Sequence, residues 1–116
     1  MTECHEIESF LSNFKTKMEI WGILHRDDRS KNAQALLDLE ITSGYRKEVL
    51  KQLEVENYSE GPIPDNLYKG SDMWVFGKNI KDREIYIKIS LGFKNAPVIL
   101  ISFHLSDHPL NYPFKK

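Results

Sequence analysis

The chain has 116 residues, enough for one domain with a single modest core and too few for two. Charged residues make up 28% and apolar ones 41%, which excludes a disordered chain, and no apolar run approaches the roughly 20 residues that span a bilayer. Net charge is −1, with 8 Lys/Arg against 12 Asp/Glu in residues 1–60 and 8 against 5 in residues 61–116, which excludes a uniformly basic nucleic-acid coat and leaves room for a local basic surface in the second half.

Glu3, Glu6 and Glu8 stand where a secretory signal would carry Lys or Arg before an apolar stretch, so a cytoplasmic protein is expected. Cys4 is the only cysteine, which rules out an internal disulfide and a cysteine metal cage. Ile7, Phe10, Leu11, Phe14 and Met18 recur at helical spacing and predict an amphipathic helix over about residues 3–20, ended by Gly22. Trp21 is expected in the core. Ile23-Leu24-His25 reads as a short extended piece before a charged turn, Arg26 to Arg29. Ser30 is a candidate cap for a second helix carrying Ala33, Leu36 and Leu37, and Thr42 or Ser43 for a third with Tyr45, Val49, Leu50 and Leu53 on one face.

Residues 57–72 read as a long loop, because Gly61-Pro62-Ile63-Pro64-Asp65-Asn66 cannot continue a helix and is poor in a central strand. Three strands follow, Met73–Lys78, Glu84–Leu91 and Val98–Leu105, joined by turns at 79–82 and 92–97. Connections this short imply an antiparallel meander. The expected fold is therefore α+β: N-terminal helices packed on a three-stranded, or slightly larger, antiparallel sheet.

Strand alternation separates two faces. Ile85, Ile87 and Ile89 of the second strand, with Ile99, Ile101 and Phe103 of the third, are expected under the helices. Tyr86, Lys88 and Ser90, with Val98, Leu100, Ser102 and His104, take the other face. The register that would place Trp74, Phe76 and Lys78 is left open.

A face bearing a Tyr, a Lys and a His holds an acid–base set that works without metal or cofactor. RNA supplies its own nucleophile, the 2′-hydroxyl. Histidine titrates near neutrality and suits the proton steps, and lysine suits the phosphate charge. The same residue types also occur on ordinary solvent-facing strands. His104 and His108 are badly spaced for a shared metal, since positions four apart on a strand lie about 13 Å apart. His5 reads as solvated, and His25 beside Arg26 either as an anion contact or, in preference, as part of a turn salt-bridged with Asp27 and Asp28. Gly70, Gly77 and Gly92 form no phosphate-loop spacing. Trp74 fits either the core or a stacking platform.

Several segments together resemble the MqsR family of bacterial toxins, whose fold is RelE/ParE-like. The resemblance rests on Ala35-Leu36-Leu37, Val49-Leu50-x-x-Leu53, Asp72-Met73-Trp74, Glu84-Ile85-Tyr86-Ile87-Lys88-Ile89 and Ile101-Ser102-Phe103-His104, and covers roughly residues 30–105. It implies a metal-independent mRNA endoribonuclease, acting alone or on the ribosome and held inactive by a cognate antitoxin protein, with no cofactor and no membrane. Tyr86 matches the family's active-site tyrosine, and His104 stands where the family has a catalytic lysine. Val75 replaces a glutamine, and the family's helix-following lysine falls near Ser59 or Glu60. Expected site residues are Tyr86, His104 and Lys88 for catalysis, with Lys69, Lys78, Trp74 and Tyr68 on the RNA. The alternative is a non-catalytic RelE-like module that docks a partner protein through the open sheet face or the 57–72 loop.

Overall fold

The computed structural model describes residues 2–26, 29–67 and 69–115, and for residues 29–33 the backbone alone. Its elements are α1 (Cys4–Trp21), β1 (Ile23–His25), α2 (Arg29–Leu39), α3 (Ser43–Lys51), a 3-10 turn (Val55–Asn57), β2 (Tyr58–Ile63), β3 (Met73–Ile80), β4 (Arg83–Ser90) and β5 (Val98–Leu105). The fold is α+β, as its sequence predicts, with α1 packed on a five-stranded sheet of order β1-β5-β4-β3-β2. Strands β2 to β5 pair antiparallel, and β1 pairs parallel with β5.

Helix α1 forms as its periodicity requires. Glu6 Oε1 accepts from the Glu3 backbone N–H at 3.1 Å, and Gly22, at φ +84, receives the chain as the helix ends. Its buried stripe is Ile7, Phe10, Leu11, Phe14 and Met18. Phe10 stacks on Trp74 with ring centroids 4.6 Å apart. Trp21 falls off this stripe and is 46% exposed, which corrects its expected place in the core.

Helix α2 begins at Arg29, so Ser30 lies inside it rather than at its cap; the side chains of Ser30 and Ala33 lie outside the described residues. Ala35 and Leu39 are buried whereas Leu37 is 72% exposed, so the apolar face is rotated from the one expected. In α3 the Thr42 Oγ1 accepts from the Tyr45 N–H at 3.1 Å, which selects Thr42 as the cap. Arg46, Val49 and Leu50 are buried, with Leu53 just beyond, and Tyr45 turns outward. The Arg46 guanidinium lies 5.9 Å from the Phe103 ring centroid. Among the described residues no helix is long and apolar enough to cross a membrane.

The sheet departs from the expected meander in three ways. The extended piece Ile23–His25 joins it as β1, with Ile23 opposite Val98 and His25 opposite Leu100. Residues 58–63, expected as loop, form the edge strand β2, whose pairing with β3 shifts register twice. An edge position tolerates Pro62, because its missing N–H faces no neighbour. Gly61 (φ +130) is needed there, since a Cβ would meet the Met73 carbonyl oxygen at 3.0 Å.

The third departure is a bulge in β5. Lys88 pairs with Ser102 but Ile89 with Leu100, so Ile101 is an extra residue and the alternation reverses beyond it. Phe103 keeps its core position. Val98 and Leu100, expected on the open face, join the core with Ile85, Ile87 and Ile89. Ile99 and Ile101, expected in that core, leave it: Ile99 is buried on the opposite face, and Ile101 is half-buried at the bulge.

Candidate active site

On the face away from α1, the register places Tyr86 of β4 directly opposite His104 of β5. Directly opposed Cβ atoms lie about 5 Å apart, close enough for rings to meet. The phenol and imidazole rings stack with centroids 5.3 Å apart and planes 13° from parallel. Lys88, two residues along β4, sits between Ser102 on β5 and Val75 on β3, and its Nζ lies 5.9 Å from the Tyr86 ring centroid.

The hydrogen bonding distinguishes the two nitrogens of His104. Nδ1 lies 2.9 Å from the Leu105 carbonyl oxygen. A carbonyl oxygen can only accept, so Nδ1 carries the hydrogen and Nε2 is left as the nitrogen that takes or returns a proton. Burial, and then the Glu60 carboxylate, push the Tyr86 phenol above its ordinary range. Tyr86 is therefore a persistent hydrogen-bond donor near neutrality rather than a proton carrier.

Two segments close the ends of this face. Loop 64–72 is tied across one end: Ser90 Oγ donates to the Ser71 carbonyl at 3.3 Å, Ser71 Oγ to the Gly92 carbonyl at 2.5 Å, and Arg26 pairs with Asp65 at 3.0 Å. The C-terminal segment 106–115 crosses the other end. There the Leu110 N–H donates to Glu84 Oε1 at 3.1 Å and the Tyr112 hydroxyl to Glu84 Oε2 at 2.7 Å. Between them lies a trough floored by Tyr86, Lys88, Ser102 and His104.

The other expected site residues are not in that trough. Trp74 pairs with Ile89 on the helix-covered face and lies under Phe10, so it belongs to the core and offers no stacking platform. Lys78 pairs with Ile85, on the face opposite Tyr86. Lys69 is exposed on loop 64–72, whose ties are at Ser90 and Gly92, about 13 Å along β4 from Tyr86. Tyr68 lies outside the described residues. Glu60 and Val75 face each other across β2 and β3, which sets a carboxylate beside a buried aliphatic side chain.

Sequence reasoning missed the role of the C-terminal segment, although a signal was present. Gly77 stands opposite Tyr86 in mid-strand, where glycine marks close approach of another part of the chain. A Cβ there would lie 2.1 Å from the Tyr112 hydroxyl and 2.7 Å from Leu110 Cδ1. Replacing a strand glycine of ordinary φ by alanine commonly stabilises by about 0.4–1 kcal/mol. Gly77→Ala should instead destabilise by about 1–3 kcal/mol through overpacking. The opposite sign of change in a denaturant midpoint would show that the segment does not rest on Gly77.

The Tyr112 phenol is pushed well above its ordinary range by burial first and then by the hydrogen bond and charge of Glu84. A group raised on folding stabilises fully below its unfolded value, about 10 for tyrosine, and loses that contribution as pH rises through the folded value. Stability should therefore fall more steeply above about pH 10 in the parent than in Tyr112→Phe, which has no phenol to ionise. Parallel stability–pH curves for the two proteins would refute this linkage.

Among the described residues no three His, Cys, Asp or Glu side chains converge as a metal site would require. The arrangement is a proton-accepting nitrogen, a fixed phenolic donor and an ammonium group on one open strip, suited to an anionic substrate with an ionisable hydroxyl. Set against protein families, curated proteins and solved structures, the chain matches none.

Proposed function

We propose that this chain is a metal-independent mRNA endoribonuclease of the MqsR toxin kind, with a RelE-like fold, acting in the cytoplasm and restrained by a cognate antitoxin protein. The observation that carries the reading is the stacked Tyr86–His104 pair with Lys88 beside it. The strand motif around Tyr86 supports it from the sequence side.

In this reading His104 Nε2 takes the proton of the 2′-hydroxyl as the 2′-oxygen bonds to phosphorus. The phosphorus–O5′ bond breaks, and the imidazolium returns that proton to the 5′-oxygen. The products are a 2′,3′-cyclic phosphate and a 5′-hydroxyl, with no net proton change. Tyr86 donates a hydrogen bond to a non-bridging phosphate oxygen, and Lys88 offsets the added negative charge.

Induced expression in a bacterial host should arrest growth and yield new RNA ends bearing cyclic phosphates. Purified protein should keep its melting temperature and its cleavage rate in EDTA. Loss of either on chelation, restored by added metal, would overturn the metal-independent scheme. The rival reading, a non-catalytic docking module, draws on a different observation: Ile20, Trp21, Leu24 and Phe93 are exposed around the open β1 edge and the 92–97 turn. Harmless expression with tight capture of a protein partner would favour it.

A further inference from the structure

A second opening lies where the sheet is notched. Strand β2 pairs no farther along β3 than Phe76, so Gly77, Lys78 and Asn79 have no β2 neighbour. The 3-10 turn Val55–Asn57 stands on one side of this gap and the C-terminal segment on the other. The result is a cleft of about 340 Å³ whose lining includes Asn57, Lys78, Asn79, Glu84, Tyr112 and Lys115.

Its walls mix polar groups with apolar surface, and carry two carboxylates, Glu56 and Glu84, beside the two lysines. Asn57 Oδ1 accepts the Glu54 backbone N–H at 2.9 Å, which leaves its amide N–H₂ as a donor, and Asn79 brings a carboxamide that can donate and accept in one plane. Lys78 and Lys115 bring ammonium groups, and Lys115 Nζ lies 5.6 Å from the Tyr112 ring centroid. Glu84 is engaged through both oxygens by Leu110 and Tyr112, so it acts as a fixed strut for the wall. An apolar ligand would strip these groups of water without replacing their hydrogen bonds. The volume is near the lower end for small-molecule sites, which suits one compact polar unit.

Position supplies the second argument. Asn79 pairs with Glu84, and Gly77 with Tyr86, so the cleft begins two residues, about 7 Å, along the strands from the Tyr86–His104 pair. The Leu110–Tyr112 stretch stands between the two, so a chain leaving the trough over that stretch would meet the cleft next.

We propose that this notch binds one ribonucleotide unit on the far side of the C-terminal segment from the cleaved bond, its base read by the Asn57 amide N–H and the Asn79 carboxamide and its phosphate held by Lys78 and Lys115. The proposal rests on the nuclease reading for its place in the reaction, but the binding itself does not. It also gives Lys78 an RNA contact that does not require it to share the face of Tyr86.

Titration with each of the four ribonucleoside 5′-monophosphates, followed by amide NMR, tests it. Shifts should centre on Asn57, Gly77 to Asn79 and Tyr112, with one base preferred. Asn57→Ala with Asn79→Ala should erase that preference by about tenfold or more, and Lys78→Ala with Lys115→Ala should weaken all four ligands alike. The lysine variant should melt as the parent does, and the asparagine variant somewhat lower, because it loses the Asn57–Glu54 contact; an Asn57→Ser, Asn79→Ser pair replaces it should it not fold. On RNA, the asparagine variant should change which sites are cut. Shifts confined to the Tyr86–His104 trough, no shifts at all, or an unchanged preference in the folded asparagine variant would overturn the subsite while leaving the nuclease reading intact. Mononucleotide binding in the notch by a protein that cuts no RNA would uphold the binding site and remove the nuclease.

Discussion

His104→Ala should reduce RNA cleavage by about 10²-fold or more, the usual contribution of a positioned general acid–base group, with little change in melting temperature. His104 stands half-buried on the open face, outside the apolar cluster, so its removal leaves no core cavity. What is lost is the imidazole that the proposed scheme uses, held by the Nδ1 contact to Leu105 and the stack on Tyr86. Free imidazole should restore part of the rate to the alanine variant, because the space it vacates is open to solvent. Tyr86 contributes in two separable ways. Tyr86→Phe keeps the stacked ring and loses only the donor, so its rate should fall less than that of Tyr86→Ala, which loses both. If folded His104→Ala cuts RNA at the parent rate, the acid–base assignment fails. If Tyr86→Phe and Tyr86→Ala fall equally, the ring does not position the imidazole.

The pair was legible because strand alternation is local. Tyr86 and Lys88 lie between isoleucines in a run with no glycine or proline, so their face follows from period two alone. His104 was also placed correctly, but only because it lies beyond the bulge, on the stretch of β5 that is in phase with β4. Register was not legible. Trp74 and Lys78 took the helix-covered face through the pairing of Gly77 with Tyr86, and nothing within β3 announces that phase. Strand β2 was hidden because its Gly-Pro content reads as a breaker, and only a place at the sheet edge makes it tolerable. Closure of the trough by the C-terminal segment depends on contacts between residues 26 and 28 positions apart, from Leu110 and Tyr112 to Glu84. Sequence periodicity carries no information at that range; Gly77 alone hinted at it.

The bulge gives the second large effect. Leu100→Ala should destabilise the protein by about 2–5 kcal/mol, the range for a leucine removed from a packed core, whereas Ile101→Ala should cost about 1 kcal/mol or less, since only part of its side chain leaves water on folding. Uninterrupted alternation from Phe103 would give the reverse order, with Ile101 in the core and Leu100 on the open face. In the structure Leu100 is fully buried in the cluster formed by α1 and the isoleucines of β4, and it pairs with Ile89. Its strand partners, His25 and Ile89, are held by the ladder on both sides, so the sheet cannot move into the cavity without breaking pairs. Ile101, the extra residue of the bulge, is only half-buried. Urea midpoints at constant m-value for the two variants decide between the phases. Equal losses, or a larger loss at Ile101, would mean that β5 runs without the bulge. His104 would still oppose Tyr86 and Ser102 would still oppose Lys88 in that case, but Ile101 would pair with Ile89 and Leu100 would stand opposite Ser90 on the trough face.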